Sequence, residues 1–293
     1  MKFALAFSLL LLCSFVTAET WIYEKTVVEL PMGEEEDQLS LRLVPEGYEG
    51  LAEGPTSFTV DEDENIYVRT RRKNIIKKFD KDGNFICSSE YEKGAGDVIR
   101  FLGYHDGMIY TMSWGSDDPY IRRYTRDLDF VDCHRVMPGS ENLSGLSFLE
   151  NSKGELGFVV NNNPNIVRLS LIELINGYYA LRSSKLFDLD NANKLDLKTV
   201  WPTSLGYRFL NIDDQFNIYI ENLKGRLMTS ELGIVAREGA FIHTNVEFDF
   251  SFNHEVSLID RINPVISRDG CIYHILVTEE HIQFIKWQKA RVQ

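Results

Sequence analysis

The sequence predicts an all-β fold made of repeated four-stranded antiparallel units, and three observations support this. Residues 54–86 contain four short strand patterns with no room for a helix between them. Turns rich in Asp, Asn and Gly separate these patterns, as in tight hairpins. The same turn-and-strand core then recurs four more times downstream. A single such unit cannot bury both of its faces, so we expect the units to stack against one another.

The stretch 54–86 defines the unit. Phe58 and Val60 alternate with polar neighbours, which is the period-2 pattern of a half-buried strand. The acidic run 61–64 breaks that pattern and predicts a turn. The remaining predicted parts are a strand at Ile66–Val68, a basic loop at Arg69–Asn74, a strand at Ile75–Phe79, a turn at Asp80–Asn84 and a strand that begins at Phe85.

The spacing of the copies indicates a β-propeller. Their first strand residues are 66, 109, 156, 218 and 272, so the steps are 43, 47, 62 and 54 residues. A four-stranded repeat of about 40 to 50 residues is the signature of a propeller blade. This count favours five blades. Six would follow if the stretches 186–203 and 243–262 contain a further degenerate blade.

The two ends of the chain predict how the ring closes. The last copy provides about three strands before the chain ends, whereas Trp21–Leu30 is a strand without a blade of its own. Exposed sheet edges are unfavourable, so we expect this N-terminal strand to pair near His281–Trp287. Two further stretches are predicted more weakly. Leu39–Val44 is a strand, and Leu169–Ala180 is strand and turn rather than helix.

The N-terminal residues and the net charge limit the compartments and partners that this protein can have. Lys2, an apolar run and a small-residue site ending at Ala18 indicate a signal peptide over residues 1–18. We therefore expect one propeller domain over residues 19–293, secreted or periplasmic, with no transmembrane segment. The formal net charge of −13 argues against a nucleic-acid partner, which would need clustered basic residues.

One face of the predicted ring is the candidate ligand site. The loops before the first strand and between the second and third strands of each blade open on the same side, where a rigid scaffold commonly carries function. Aromatic, amide and charged groups there suit a protein, peptide or glycan ligand. The candidate residues are Glu53, Arg71, Arg72, Trp114, Asp117, Asn161, Asn163, Trp201, Asn222 and Arg261.

The recurrent turn and strand, as in Asp63-Glu64-Asn65-Ile66-Tyr67, resembles the NHL-type and gluconolactonase-like propeller repeats of the six-bladed, TolB-like superfamily. The segment Glu53-Gly54-Pro55 resembles the metal-binding turn of the gluconolactonase-like members. This resemblance implies that the Glu53 carboxylate would bind a divalent cation (Ca, Mg or Zn). A lactonase or esterase is therefore the alternative function. We favour a binding module without catalysis, because the sequence contains no complete catalytic constellation and no cofactor is established. Asp61, Asp63 and Asn65 imitate the start of a calcium loop, but Ile66 stands where such a loop needs Gly, so we expect a hairpin turn.

Overall fold

The computed structural model describes fifteen ranges of the chain. These ranges are 20–41, 54–70, 75–90, 98–114, 119–136, 147–150, 156–163, 166–175, 178–188, 207–215, 217–223, 229–236, 241–249, 262–278 and 280–290. Within these ranges the chain forms β-strands, turns and no helix. The expected all-β class is therefore confirmed.

The strands follow the repeat that the sequence predicts. In chain order they are Thr20–Trp21 (β1), Tyr23–Leu30 (β2), Pro55–Val60 (β3), Ile66–Thr70 (β4), Ile75–Phe79 (β5), Phe85–Glu90 (β6), Val98–His105 (β7), Met108–Trp114 (β8), Pro119–Thr125 (β9), Phe130–Val136 (β10), Ser147–Glu150 (β11), Leu156–Asn163 (β12), Ile166–Ile175 (β13), Tyr178–Asp188 (β14), Tyr207–Ile212 (β15), Ile218–Leu223 (β16), Thr229–Val235 (β17), Phe241–Asp249 (β18), Val265–Ile266 (β19), Ile272–Val277 (β20) and Ile282–Lys289 (β21). Within 169–180, β13 continues to Ile175 and β14 begins at Tyr178, so the described residues there are strand rather than helix, as predicted. Of the predicted strand Leu39–Val44, Leu39 makes an isolated bridge to Met32 and residues 40–41 are not strand, whereas residues 42–44 lie outside the described residues.

The described strands form four sheets, so the expectation of five or six separate blades is wrong. Three sheets have the orders β3-β4-β5-β6, β15-β16-β17-β18-β1 and β19-β20-β21-β2. The fourth has eight strands, because β10 and β14, the last strands of two successive antiparallel meanders, pair in parallel. The parallel pairing joins Arg135 to Tyr178 and Val136 to Tyr179. Two repeats of the sequence therefore share one sheet.

The first strands of the meanders follow one another around a circle. β3 lies beside β7, β7 beside β11, β11 beside β15, β15 beside β19, and β19 beside β3 again. Apolar clusters fill the gaps between sheets. One joins the β15–β18 and β19–β21 sheets, a second joins the β19–β21 and β3–β6 sheets, and a third joins the β3–β6 sheet to the β7–β10 meander. The molecule is thus an all-β propeller with four-stranded antiparallel blades.

The N-terminal segment joins the two ends of the chain, as predicted. β2 pairs with β21 without a break, from Tyr23 opposite Lys289 to Leu30 opposite Ile282. β1 pairs in parallel with β18 of the neighbouring sheet. Where β1 meets β2, the Asn245 side chain accepts a hydrogen bond from the Tyr23 N–H at 2.7 Å and donates one to the Tyr23 carbonyl at 2.9 Å. One continuous segment therefore connects two sheets.

Candidate functional site

The two ends of the sheets differ. At one end, which we call the turn end, short turns connect the strands, and Asp side chains accept hydrogen bonds from the residues of these turns. At the β3–β4 turn, Asp61 Oδ1 accepts the backbone N–H groups of Asp63 and Asn65 at 3.0 and 2.8 Å. Its Oδ2 accepts the Asn65 amide at 2.8 Å and the Tyr67 hydroxyl at 2.9 Å. The expected hairpin turn is confirmed, and Asp61 is the residue that organises it.

The same arrangement recurs at the β15–β16 turn. Asp213 accepts the N–H groups of Gln215 and Asn217, the Asn217 amide and the Tyr219 hydroxyl, at distances of 2.8 to 3.0 Å. Gly270, whose φ is +81°, belongs to the next sheet and approaches this site so closely that an added Cβ would lie 2.6 Å from the Tyr219 oxygen. The repeated letters D-x-x-x-N-x-Y therefore encode a turn and its contact with the next sheet.

Charge couples the β3–β4 turn to the adjacent meander. Arg126, in the β9–β10 turn, forms ion pairs with Asp61 at 3.0 Å, with Glu62 at 3.2 Å and with Asp63. Burial by itself would raise the pKa of Asp61, but the hydrogen bonds from Asn65 and Tyr67 and the Arg126 charge outweigh it, so that pKa lies below its ordinary value. The polar groups of this turn have partners and serve the scaffold.

The opposite end, which we call the loop end, has a different chemistry. Arg69, in β4, is only 4% exposed, and its Nη1 donates to Thr56 Oγ1 at 2.7 Å. Its Nε–H has no hydrogen-bond partner, and it forms no ion pair with any residue that the structure describes. A guanidinium has five N–H donors, and an unpaired buried charge is costly. The packing of the sheets therefore does not explain why an arginine is buried at position 69.

Arg69 faces the gap between the β3–β6 sheet and the β7–β10 meander. Its cross-strand neighbour Ile76 belongs to the apolar cluster in that gap, as does Tyr67, two residues earlier on the same strand. Since side chains two apart share a face, Arg69 continues that face toward the loop end. Ser57, opposite Arg69 on β3, has a buried Oγ without a hydrogen-bond partner.

The facing meander contributes matching groups. Ile109 and Tyr124 belong to the same cluster, and Thr111 and Arg122 lie two residues from them toward the loop end. Thr111 is opposite Arg122 in the register of β8 and β9, and they are only 1% and 7% exposed. Thr111 Oγ1 is buried without a hydrogen-bond partner. We call Ser57, Arg69, Thr111 and Arg122 the inter-sheet polar group. It lies on the loop side of the apolar cluster.

A concave surface lies between β2, β21 and the β5–β6 turn. It is an open cleft of about 710 Å³. Four carboxylates and one imidazole are among its lining groups, namely those of Glu29, Asp37, Asp82, Glu280 and His281. His281 lies 3.7 Å from Glu29 and 3.5 Å from Glu280. Lys77 fixes the segment beside it by donating to the main-chain oxygens of Glu35, Glu36 and Gln38.

The predicted site residues divide into three sets. Glu53, Arg71, Arg72, Asp117, Trp201 and Arg261 lie outside the described residues, so the divalent metal at Glu53 stays a prediction. Trp114 ends β8, and Asn161 and Asn163 lie at the end of β12. Asn222 lies in β16 and is 3% exposed, so the expectation of an open loop position is wrong there, although its Oδ1 has no hydrogen-bond partner.

The sequence analysis missed the inter-sheet polar group because it placed Arg69 in a loop. The structure corrects this, since β4 extends to Thr70. The signal was present in the strand pattern. Counted from the first residues of the second strands, Arg69 occupies the same position in its repeat as Met112, Glu221 and Ile275. Arg69 and Glu221 are the charged residues among these four, and charged side chains are seldom buried in strands unless they are paired.

Comparison with known proteins gives weak structural likeness at low sequence identity. No family model and no curated protein match the chain. A glutaminyl cyclase from Myxococcus xanthus superposes with a TM-score of 0.44 and 8% identity over 94% of this chain and 100% of that one. A virginiamycin B lyase from Staphylococcus aureus gives 0.41 and 11% over 91% and 100%. A putative exported protein from Bacteroides fragilis gives 0.43 and 10% over 92% and 96%.

The described residues contain no group of three or more His, Cys, Asp or Glu side chains that could bind a metal ion. No helix within them is long and apolar enough to span a membrane.

Proposed function

We propose that the protein is a ligand-binding β-propeller that acts outside the cytoplasm through its loop end. One observation carries the proposal. The turn end satisfies its buried carboxylates with local donors, whereas buried polar atoms of Ser57, Arg69, Thr111 and Asn222 have no partner in the structure. Buried polar groups are normally hydrogen-bonded, so these four residues near the loop end support the proposal that this end receives a ligand.

We also propose kinship with the NHL-type and gluconolactonase-like propellers. Its support is the recurrence of the Asp, Asn and Tyr turn at Asp61 and Asp213.

The test is a binding screen with two matched variants. The chain from residue 19 is screened on peptide and glycan arrays together with an Arg71→Ala/Arg72→Ala variant and a Lys81→Ala variant. Arg71 and Arg72 lie in the segment between β4 and β5, whereas Lys81 is an exposed cation of the turn end. We expect the first variant to lose at least about tenfold in affinity, since charged anchors commonly contribute that much. The second should bind normally.

Two outcomes would contradict the proposal. One is ligand binding that survives the loop-end substitutions and is lost on substitution at Lys81. The other is turnover of a panel of esters and lactones by the purified protein, which would favour the hydrolase alternative with Glu53 as a metal ligand.

A further inference from the structure

We infer that the inter-sheet polar group binds an oxyanion, so that the ligand of the propeller carries a carboxylate, phosphate or sulfate group. This inference rests on the proposed function and names the chemistry of its ligand. It assigns Arg69 as the anchor, with Arg122, Ser57 and Thr111 as further donors.

The first step concerns charge. Two guanidinium groups, on β4 and β9, face one gap on the loop side of the same apolar cluster. The acidic partners that the structure describes near this gap lie at the turn end, where Asp61 pairs with Arg126 and Asp127 pairs with Lys78 at 3.2 Å. No described carboxylate pairs with Arg69. An anion beside Arg69 would therefore offset the cost of burying that charge without an acidic partner.

The second step concerns hydrogen bonds. The groups without partners in this gap are all able to donate, namely Arg69 Nε–H and the hydroxyls of Ser57 and Thr111. A neutral sugar or a peptide amide would bring donors as well as acceptors. An oxyanion brings acceptors only and matches a guanidinium with two parallel hydrogen bonds. The observed donor set therefore favours an anion.

The third step concerns access. Arg69 is the penultimate residue of β4, and the loop end begins two positions later, at residue 71. Thr56, its present hydrogen-bond partner, lies at the start of β3, at the same end. A small anionic group entering from the loop end would meet Arg69 before it met the apolar cluster. The remainder of the ligand would lie across the predicted loop face.

The experiment is a thermal-denaturation titration with sodium phosphate, sulfate, acetate and chloride at constant ionic strength. At a concentration of ten times the Kd, we expect the preferred oxyanion to raise the Tm by about 2–4 °C more than chloride does. A stronger response to acetate identifies a carboxylate ligand, and a stronger response to phosphate or sulfate identifies an ester. A response that is equal for all four salts would overturn the inference.

Variants separate the site from the general stabilising effect of phosphate and sulfate, which acts on any folded protein. Arg69→Gln and Arg122→Gln should each lose the oxyanion-specific rise. Arg123→Gln is the matched control, because Arg123 lies next to Arg122 but points to the other face and pairs with Asp132. It should retain the rise. A rise of equal size in Arg69→Gln and the unmodified protein would also overturn the inference.

Stability without added oxyanion gives a second readout. Removing an unpaired buried charge should leave the Tm of Arg69→Gln unchanged or higher, whereas a purely structural arginine would lower it. If Arg69→Gln does not fold, the inference is wrong about the anchor, and Ser57→Ala and Thr111→Val then test the donors. Array binding that depends on Arg71 and Arg72 without any oxyanion response would remove this inference and leave the proposed function intact.

Discussion

At the residue scale, the molecule uses the same side-chain types in two different ways. Asp61 and Asp213 are buried acids whose oxygens are surrounded by donors, so they define turns. Arg69 is a buried base with one hydrogen bond and a free Nε–H. Burial alone does not separate the two cases. The number of partners does, because a fully satisfied polar group stabilises the fold, whereas an unsatisfied one costs free energy.

Asp61 and Asp80 form a matched pair for testing the turn device. Both accept two backbone N–H groups and the amide of the residue four positions later, but only Asp61 also binds a buried tyrosine and Arg126. We expect Asp61→Asn to cost about 1–3 kcal/mol in the free energy of unfolding, and Asp80→Asn less than about 1 kcal/mol. Urea denaturation at pH 7 measures both. Equal losses would contradict a special role for Asp61.

Acid should remove the difference between Asp61→Asn and the unmodified protein. The pKa of Asp61 lies below its ordinary value in the folded state. Its contribution to stability is therefore complete above the unfolded pKa of about 3.9 and is lost as the pH falls through the folded pKa. Urea midpoints of the two proteins should converge below about pH 4. A constant difference down to pH 2 would contradict the linkage.

At the element scale, the sequence predicted strands better than their ends. Alternating apolar residues and Asp-Gly turns located β3 and β5 correctly, because these signals are local. β4 was predicted too short at Arg69, since a charged residue in a strand imitates the start of a loop. The parallel pairing of β10 with β14 could not be predicted, because it depends on how two meanders meet in space.

Segment 31–41 shows how one side chain can hold an irregular element. Residues 34–37 are all acidic, yet three main-chain oxygens of this segment converge on the buried ammonium of Lys77. We expect Lys77→Met to cost about 1–3 kcal/mol and to raise amide hydrogen exchange at Met32–Leu39, because three main-chain carbonyls lose their donor. Lys81→Met, at an exposed lysine of the same sheet, is the control. Unchanged exchange in Lys77→Met would show that the loop holds itself.

At the scale of the whole molecule, the loop end and the turn end divide function from scaffold. The candidate residues that the sequence analysis placed on the loop face lie mainly outside the described ranges, and Asn222 proved to be buried. The sequence did not predict the inter-sheet polar group, because Arg69 and Arg122 come from different repeats and face the same gap only in the folded chain. Sequence spacing carries no information about that meeting.

Closure by the N-terminal segment can be tested by truncation. β2 covers the edge of β21 along eight paired positions, and β1 joins the preceding sheet through β18 and Asn245. Without residues 19–30, β21 becomes an open edge, and Tyr23 and Leu30 leave two apolar clusters between sheets. Since neighbouring blades stabilise one another by packing, the loss should spread through the ring.

We therefore expect a chain that begins at residue 31 to melt at least about 5 °C below one that begins at residue 19, as for a loss of several kcal/mol in a domain of this size. Asn245→Ala in the longer chain should lower the Tm by a smaller amount, because it removes only the two hydrogen bonds to Tyr23. Asn245→Asp should lower the Tm at least as much as Asn245→Ala, since it keeps the acceptor for the Tyr23 N–H but places a carboxylate oxygen against the Tyr23 carbonyl. A truncated chain that melts within about one degree of the intact one would show that the sheets hold together without the N-terminal segment. The pairing of β2 with β21 would then be a consequence of ring closure rather than its cause.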